Sequence, residues 1–313
     1  MSLPALAAPL APLHAQDFPS RPITLIVPLP AGGPVDRHLR ALAELVAAQL
    51  GQPVVVENRP GASGTLAPTV MAASARADGY TVCSFQPPML RLPHMQKTRW
   101  HPIHDFSFIV GLARFGGSGF LVRADSPFKA VADYVAAARS LPQGADYGTA
   151  GMGSSNHLMV AQLAQAEQVA LTHVPFRGNP DMMQALLGGH VMAVADVAGW
   201  EKLVDEGRLR LLMTFGDRPD PRYPTVPTAT ALGYAIVSNS CYGLVGPKDM
   251  PAPVVKVLHD AFRQALLDPR HAAVLAQLNL EAWPVSGTQF RLSATQTFER
   301  EGQVLERLGL ALR

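Results

Sequence analysis

The stretch that most constrains the fold runs from Ile23 to Gly64 and contains two glycine-rich turns. An apolar, β-branched run over Ile23–Val27 predicts a strand that is covered on both faces of a parallel sheet. The turn Pro28–Pro34 ends this strand, and a helix follows that Gly51 closes. The apolar residues of the helix share one face: Leu39, Leu42, Ala43, Val46 and Leu50. Such a turn leaves backbone N–H groups free at a helix N-terminus, where anions bind, so we expect a small carboxylate as the ligand.

Further strands and a helix extend this first unit. Pro53–Glu57 and Tyr80–Phe85 are predicted strands, and Gly64–Ala75 is a predicted helix. We expect three of the helix residues to face inward: Leu66, Val70 and Met71. The β-α-β-α-β order predicts a parallel sheet with right-handed crossovers. Loops at the carboxyl ends of these strands should then line a crevice, namely Pro28–Pro34, Asn58–Ser63 and Phe85–Pro88.

A second series of the same kind follows in the middle of the chain. Two strands are expected within Phe106–Arg123, then a helix from Ser126, and then alternating strands and helices up to Phe215. Ile236–Val245 is a further predicted strand, and three helices complete the chain. The fold class is therefore α/β, with two doubly wound lobes joined by a two-stranded hinge over a cleft. The predicted lobes are residues 17–122 plus 242–313, and residues 123–241.

Composition narrows the class of protein. At 313 residues the chain is long enough for two cores, and charged residues make up 16% of it. A formal net charge of +2, without a basic stripe, argues against nucleic acid as a partner and against a membrane-surface protein. Residues 1–16 are apolar and proline-rich. They are typical either of a truncated export signal, which would place the protein in the periplasm, or of a disordered tail.

Several motifs allow both a functional and a plain structural interpretation. Cys83 and Cys241 form no metal motif; we expect free buried thiols, with pairing left open. His101 and His104 lie in a proline-bounded segment and are expected to form a solvated loop rather than a metal site. The pattern Gly151-x-Gly153-x-x-Asn156 lacks the third glycine and the later acidic residue of a dinucleotide site. No cofactor is expected.

The segment Gly148–Ser155 is a second candidate for anion binding. It follows a predicted strand and opens a helix, so its backbone N–H groups and serine hydroxyls can donate to an oxygen, with Ser154 or Ser155 as the helix cap. The alternative is a capped helix without a ligand. Arg177 could pair with a carboxylate or only cover the surface. Asp196 ends a strand at the same edge and could contact a ligand or cap the helix near Trp200.

No paired carboxylates, activated serine or Cys–His set forms a catalytic constellation, and this favours binding over catalysis. Two other classes stay open from the residues. An enzyme acting on a carboxylated substrate could use Asp196 or His157 as its base, and a sensor module could pass the ligand state to a signalling partner.

The chain also resembles a known family over nearly its whole length, from Phe18 to about Leu310. The segments that carry the resemblance are PSRPITLIVPLPAGGPVD, LGQPVVVENRPGASG, DGYT, YGTAGMGSSNH, HVPFRG, LLGGHV and YPTVPTATALGY. They are similar to the periplasmic solute receptors of tripartite tricarboxylate transporters, the Bug family. The resemblance implies a type II periplasmic-binding-protein fold that closes on a small organic carboxylate and lacks enzymatic activity. It also implies membrane permease components as partners, and we expect a monomer.

The resemblance assigns the ligand site to five segments. The residues implied to bind the ligand are Leu29, Ala31, Gly32, Gly33, Phe85, Gln86, Pro87, Gly148, Thr149, Ala150, Gly153, Ser154, Ser155, Phe176, Arg177 and Asp196. In receptors for amino acids, the position of Asp196 resembles the one that meets the amino group.

Four departures from the family pattern bear on the ligand. Val35 replaces the usual Thr, and Phe85-Gln86-Pro87 replaces a run of small residues. Asn156 and Cys241 stand where His and Trp are common. Because Phe85 would offer a ring face and reduce the pocket volume, we expect a smaller or more aromatic acid than the usual di- or tricarboxylates.

Overall fold

The computed structural model describes residues 18–115, 117–238 and 240–312. Two β-sheets with helices packed on them form its framework. The strands are β1 (Ile23–Val27), β2 (Val54–Asn58), β3 (Thr81–Phe85), β4 (Phe106–Phe115), β5 (Gly119–Arg123), β6 (Ala145–Thr149), β7 (Leu171–Pro175), β8 (Ala193–Asp196), β9 (Leu209–Thr214), β10 (Cys241–Pro247) and β11 (Leu280–Ala282). The helices are α1 (Pro34–Leu50), α2 (Leu66–Ser74), α3 (Leu92–Met95), α4 (Val131–Ser140), α5 (Ser155–Glu167), α6 (Asn179–Leu187), α7 (Glu201–Asp205), α8 (Ala252–Leu266), α9 (Pro269–Gln277) and α10 (Gly287–Arg307).

The first sheet has six strands in the order β11-β4-β10-β3-β1-β2. Strand β1 pairs in parallel with both β2 and β3, as the alternation of strands and helices predicts. Strand β10 returns from late in the chain and runs antiparallel to both β3 and β4. The sheet is therefore parallel only over its first three strands. Their carboxyl ends share one edge, which brings the loops after β1, β2 and β3 together.

The second sheet has five strands in the order β7-β6-β8-β5-β9. Strand β6 pairs in parallel with β7 and β8, while β5 runs antiparallel to β8 and β9. The loops after β6, β7 and β8 thus meet at one edge as well. This topology matches the prediction of a second α/β unit similar to the first, with the two units facing each other across a cleft.

The chain passes between the sheets twice. Strand β4 ends in the first sheet at Phe115, and β5 begins in the second at Gly119. Strand β10 re-enters the first sheet at Cys241. The predicted boundary at residue 122 falls inside β5, so the change of sheet comes a few residues earlier than expected. We keep the division into two lobes as a proposal, with this shifted boundary. The unit built on the first sheet is called lobe 1, and the unit built on the second sheet is called lobe 2.

Helix α1 shows how the sequence pattern produces packing in lobe 1. Leu39, Leu42 and Val46 are fully buried, and Gly51 ends the helix in the left-handed conformation, with φ of 65°. Burial of each large apolar side chain contributes about 1.5–3 kcal/mol, so this face fixes the helix against β1. The N-terminus of α1 is thereby held rigidly at the cleft.

Some local expectations are wrong. Leu66 and Val70 on α2 are 50% and 49% exposed, and of the three expected inward residues only Met71 is buried. The helix expected from Ser126 begins at Val131, and the strand expected from Ile236 begins at Cys241. Strand β11 was not anticipated.

Cys83 and Cys241 are both free, as expected, but only Cys83 is buried, and Cys241 is half-buried. Burial raises the pKa of both thiols, that of Cys241 to about 11. Among the described residues, no helix is both long and apolar enough to cross a bilayer. Residues 1–16, the expected export signal or tail, lie outside the described part of the chain.

Candidate functional site

A cavity of about 100 Å³ lies between the two lobes, at the carboxyl edges of both sheets. Lobe 1 lines it with Leu29, Pro30, Gly33, Pro34, Val35, Asp36, Ser63, Gln86, Pro87, Pro88 and Phe115. Lobe 2 lines it with Ala150, Ser154, Ser155, Asn156, Gly178, Asn179, Pro180, Asp196 and Val197. We call this the cleft cavity. Its lining includes two carboxyl groups but neither lysine nor arginine.

Three helix N-termini end at the cleft cavity. Helix α1 contributes Val35 from its first turn, α5 contributes Ser155 and Asn156, and α6 begins at Asn179. The first N–H groups of a helix have no intrahelical acceptor and carry its positive end, so each of these termini favours an anion. In this way the cavity attracts negative charge without a cationic side chain.

The turn after β1 holds the N-terminus of α1 in place. Pro34 occupies the first turn of the helix, and the carboxylate of Asp36 accepts hydrogen bonds from Gly32 N–H (2.8 Å), Arg40 Nε (3.0 Å) and Asn58 Nδ2 (2.8 Å). Burial raises the pKa of Asp36, but these bonds lower it more, and the net shift is downward. The ionised carboxylate of Asp36 therefore stabilises the turn from inside.

Of the four residues predicted in this first turn, two line the cleft cavity: Leu29 and Gly33. Ala31 and Gly32 are exposed outside it. The N–H of Gly32 is already occupied by Asp36, so the expectation that Ala31 and Gly32 hold the ligand is not supported.

The turn after β6 is built around the cap of α5. Ser154 is the N-cap, as predicted, and its Oγ accepts a hydrogen bond from His157 N–H at 3.2 Å. Thr149 Oγ1 lies 2.7 Å from His173 Nε2, so this hydroxyl is held within lobe 2. Ala150, Ser154 and Ser155 line the cleft cavity, whereas Gly148, Thr149 and Gly153 lie behind them and shape the turn.

The loop after β3 contributes Gln86 and Pro87 to the cavity wall, as predicted. The ring of Phe85 does not line the cavity. It packs among other aromatic rings, with centroid distances of 5.6 Å to Phe106, 5.5 Å to Phe108 and 6.1 Å to Phe290. The ring therefore does not face the cleft cavity, and its contact with a ligand stays a prediction.

The segment after β7 supports the site from outside. Phe176 N–H donates to the Thr149 carbonyl at 2.9 Å, and the Phe176 ring lies so close to Gly148 that a Cβ there would be 2.8 Å away. Arg177 is exposed. Neither Phe176 nor Arg177 lines the cleft cavity, so the interpretation of Arg177 as a surface residue fits better.

Asp196 lies at the wall of the cleft cavity with only 2% of its surface exposed. Its carboxyl group accepts from Val197 N–H at 2.8 Å and from the amide of Asn179. Burial raises the pKa of Asp196 to about 8. The residue at the N-cap of α7 is Trp200, so Asp196 does not cap that helix.

Two amide side chains were missed as site residues. Asn156 is 2% exposed, and its Oδ1 has no hydrogen-bond partner among the described residues. Asn179 directs its amide to Asp196. Asn156 is the second residue of α5 and Asn179 is the first residue of α6, and each helix follows a glycine-containing turn. This position could have identified both residues from the sequence. An unpartnered buried acceptor such as Asn156 Oδ1 indicates a place for a ligand.

The two lobes touch across the cleft. A Cβ added at Gly178 would lie 2.9 Å from Cδ of Pro30, and one added at Gly151 would clash with Ser63 Oγ. Arg91 Nη1 in lobe 1 donates to Ser155 Oγ in lobe 2 at 3.0 Å. The structure is thus a closed arrangement in which loops of both lobes enclose the cavity.

The His101–His104 segment matches no metal site. His101 N–H donates to the Asp105 carboxylate at 2.7 Å, and His94 Nε2 lies 2.9 Å from the Phe298 carbonyl. Within the described ranges, no group of three or more His, Cys, Asp and Glu side chains is placed to hold a metal ion.

Sequence comparison matches the chain to one family. The family model described as "Tripartite tricarboxylate transporter family receptor" matches residues 38–310. A Cupriavidus necator protein described as "UPF0065 protein in gbd 5'region" is 42% identical over 306 residues, which cover 98% of this chain and 93% of that protein.

Solved structures agree in fold over most of both chains. The periplasmic binding protein BugD has a TM-score of 0.88 and 26% identity, covering 95% of this chain and 100% of its own. Rpa4515 of Rhodopseudomonas palustris, solved with adipate, has a TM-score of 0.88 and 27% identity, with coverages of 94% and 99%. MatC (Rpa3494) of the same species, solved with bound malate, has a TM-score of 0.85 and 27% identity, with coverages of 92% and 100%.

Proposed function

Since the chain belongs to the tripartite tricarboxylate transporter receptor family, we propose that it encloses a small carboxylate in the cleft cavity and delivers it to membrane permease components. The family consists of periplasmic receptors for solutes, and this chain is a receptor for a carboxylate-containing solute. We further propose that it acts as a monomer in the periplasm, requires no cofactor and catalyses no reaction.

The observation that carries the proposal is the convergence of three helix N-termini on one cavity without a cationic side chain. Each helix terminus stabilises a carboxylate by about 0.3–1 kcal/mol, or up to about 2 kcal/mol when partly buried. Charge-assisted hydrogen bonds from N–H groups also fix the orientation of the bound carboxylate. We therefore assign the carboxylate grip to the N–H groups of Val35, Ser155 and Asn156, assisted by the hydroxyl of Ser154.

The opposite side of the cavity is formed by Asp196 and Asn179. Burial raises the pKa of Asp196 to about 8, so at neutral pH its carboxyl group is largely protonated and can donate a hydrogen bond. A protonated carboxyl donates a hydrogen bond to a carboxylate or hydroxyl oxygen of the ligand, whereas an ionised one would select an amino group. We propose the first arrangement, because neither lysine nor arginine lines the cavity to offset an ionised Asp196 beside a carboxylate.

Closure makes the grip complete. Helix α1 belongs to lobe 1, and helices α5 and α6 belong to lobe 2, so a ligand meets all three termini only when the lobes come together. A ligand that binds the closed form better than the open form shifts the population towards it. The closed form then presents surfaces of both lobes in one fixed geometry, which the permease components can recognise.

The size of the cavity limits the ligand. About 100 Å³ of space, without a cationic side chain, suits a short mono- or dicarboxylate better than a tricarboxylate. Because Phe85 lies outside the lining, the argument for an aromatic acid no longer holds, and only the expectation of a small acid remains. Adipate and malate, the acids held by two related proteins, are natural first probes.

A thermal-shift and calorimetric panel tests this function. It should contain malate, succinate, adipate, citrate and benzoate, with succinamide as an uncharged match for succinate. We expect at least one short carboxylate to bind, and the free energy of unfolding to rise by about 2.7 kcal/mol when that acid is present at a hundred times its Kd. Citrate alone stabilising the protein would contradict the size argument. No stabilisation by any acid, or equal stabilisation by succinamide, would contradict the function.

A variant locates the binding. Asn156→Ala removes an amide whose Oδ1 has no partner in the described protein, so its effect should fall on the ligand rather than on the fold. Because Oδ1 only accepts hydrogen bonds, it matches a hydroxyl of the ligand, and loss of such a neutral hydrogen bond costs about 0.5–1.5 kcal/mol, or about 2- to 13-fold in Kd. Gln143→Ala, which removes an exposed amide outside the cavity, should leave Kd unchanged. Conversion of the bound acid, followed by NMR, would instead favour an enzyme.

A further inference from the structure

A second and larger cavity lies behind the cleft cavity. Its volume is about 320 Å³, and Pro87 and Ser155 line both cavities, so these two residues form the partition between them. The other walls come from α10, α5, the Leu90–Arg91 segment and the chain around 235–241. We call it the rear cavity. Its volume lies in the range of sites for small organic molecules.

One part of the rear cavity is apolar. Phe290 on α10 and Leu158 and Met159 on α5 contribute ring and alkyl surface. Burial of an alkyl chain against such surface is favourable by about 0.8 kcal/mol per methylene group. This part of the wall therefore suits a short hydrocarbon chain.

The other part is positively charged. Arg91, Arg300 and Arg307 line it together with a single carboxylate, that of Glu301. Burial raises the pKa of Glu301, but Arg91, through its charge and hydrogen bond, and then Arg300 lower it more, and the net shift is downward. Glu301 is thus ionised, and the four groups together carry two excess positive charges.

Arg91 is the buried member of this group, with 4% of its surface exposed. Its Nη2 donates to Glu301 Oε1 at 3.0 Å, and its Nη1 donates to Ser155 Oγ at 3.0 Å. Its Nη1 also donates to the Gly153 carbonyl at 3.3 Å. The remaining nitrogen, Nε, is buried and has no acceptor within the part of the chain that the structure describes. Buried donors are almost always paired in folded proteins, so the guanidinium of Arg91 has an unused donor beside the rear cavity.

We propose that the rear cavity is a second binding site, and that it takes a small amphipathic carboxylate whose alkyl chain lies against Phe290 and Leu158. The carboxylate lies among the arginine side chains, which supply the positive charge that the cleft cavity lacks. An acid with a chain of about eight carbons matches both parts of the wall. This site is distinct from the cleft cavity in volume, in charge and in the helices that line it.

The rear cavity also spans the two lobes. Arg91 and α10 belong to lobe 1, while Ser155 and Leu158 belong to α5 in lobe 2. Its shape consequently depends on the relative position of the lobes, and Ser155 connects it to the N-terminus that grips the cleft ligand. An acid in the rear cavity should change the affinity of the cleft cavity, and the two effects must be reciprocal.

Octanoate is the probe, with octanamide as its uncharged match. We expect octanoate to bind the wild-type protein in calorimetry, and crystals grown with 8-bromooctanoate to show the bromine in the rear cavity by anomalous scattering. Thr297→Trp, which places a large ring in the cavity wall, should abolish this binding, while the variant still binds the cleft acid. Arg300→Met and Arg307→Met change exposed residues and should each weaken octanoate binding by about two- to fivefold.

Arg291→Met is the matched control, because Arg291 is an exposed arginine of the same helix that lies outside the rear cavity. It should leave octanoate binding unchanged. Bromine located in the cleft cavity, equal binding of octanamide, or equal loss in Arg291→Met and Arg300→Met would overturn the proposal. So would the absence of octanoate binding to a wild-type protein that binds its cleft acid, and that result would leave the receptor function standing.

Discussion

Replacement of Gly178 by alanine should weaken ligand binding by obstructing closure. Gly178 lies in lobe 2 at the start of α6, and its backbone is extended, with φ of 171° and ψ of −177°. Alanine adopts this conformation without strain, so the variant should fold normally. The added Cβ would, however, lie 2.9 Å from both Cδ and Cγ of Pro30, which belongs to lobe 1. The clash exists only when the lobes are closed.

The size of the effect follows from this distance. Carbon atoms in contact are normally about 3.5–4.0 Å apart, so at least about 0.6 Å must be gained at a rigid proline ring. Overpacking of this kind costs about 1–3 kcal/mol. Because the open form pays none of this cost, the whole of it appears in binding, as a loss of about 5- to 150-fold in affinity.

Calorimetry with the acid identified in the ligand panel measures the loss, and small-angle scattering with and without that acid measures closure. Pro30→Ala removes the opposing ring atoms and should restore binding to Gly178→Ala in a double-mutant cycle. Wild-type affinity in Gly178→Ala, or failure of Pro30→Ala to restore it, would refute the link between closure and binding.

Two further predictions concern the cap of α5 and the ionisation of Asp196. Ser154→Ala removes the acceptor of His157 N–H and should lower the free energy of unfolding by about 1 kcal/mol in urea titrations. Ser140→Ala, at an exposed helix end, should leave the free energy of unfolding unchanged. Equal unfolding midpoints for the two variants would contradict the capping role of Ser154. Because burial raises the pKa of Asp196 to about 8, dicarboxylate affinity should be constant from about pH 6, where the ligand is ionised, up to that pH and should fall above it, where the Asp196 carboxyl group ionises. Asp196→Asn should remove this pH dependence; an unchanged affinity of the wild type between pH 6 and 9.5 would show that Asp196 donates nothing to the ligand.

The parts of the fold that could be predicted are those with local signals. The bounds of strand β1 and helix α1 agree closely with the prediction. An apolar run, a proline-glycine turn and an amphipathic helix follow one another there without ambiguity. Helix α2 reads LAPTVMAAS, which is apolar nearly all round, so its sequence does not tell which face is inside. That is why Leu66 and Val70 were wrongly assigned to the core.

The same limitation applies to the direction of the Phe85 ring. Strand β3 is buried on both faces, so no polar alternation marks the side that faces the cleft. The loop after it was correctly placed at the cavity, but the direction of the Phe85 ring depends on the distant residues Phe106 and Phe290. The hydrogen bond from Gly32 to Asp36 is different, because it spans only four residues. An acidic residue in the first turn of a predicted helix was a local signal for it.

The distribution of helix N-termini over the two lobes has an energetic consequence. In the open form, lobe 2 alone presents α5 and α6 together with Asn156, Asn179 and Asp196, whereas lobe 1 presents only α1. A carboxylate should therefore bind first to lobe 2, where the two termini contribute at most about 4 kcal/mol, which is short of the roughly −8 kcal/mol of a micromolar site. Closure adds α1, which contributes up to about 2 kcal/mol, or about 30-fold in affinity. Opening by a partner therefore weakens binding and favours release of the acid.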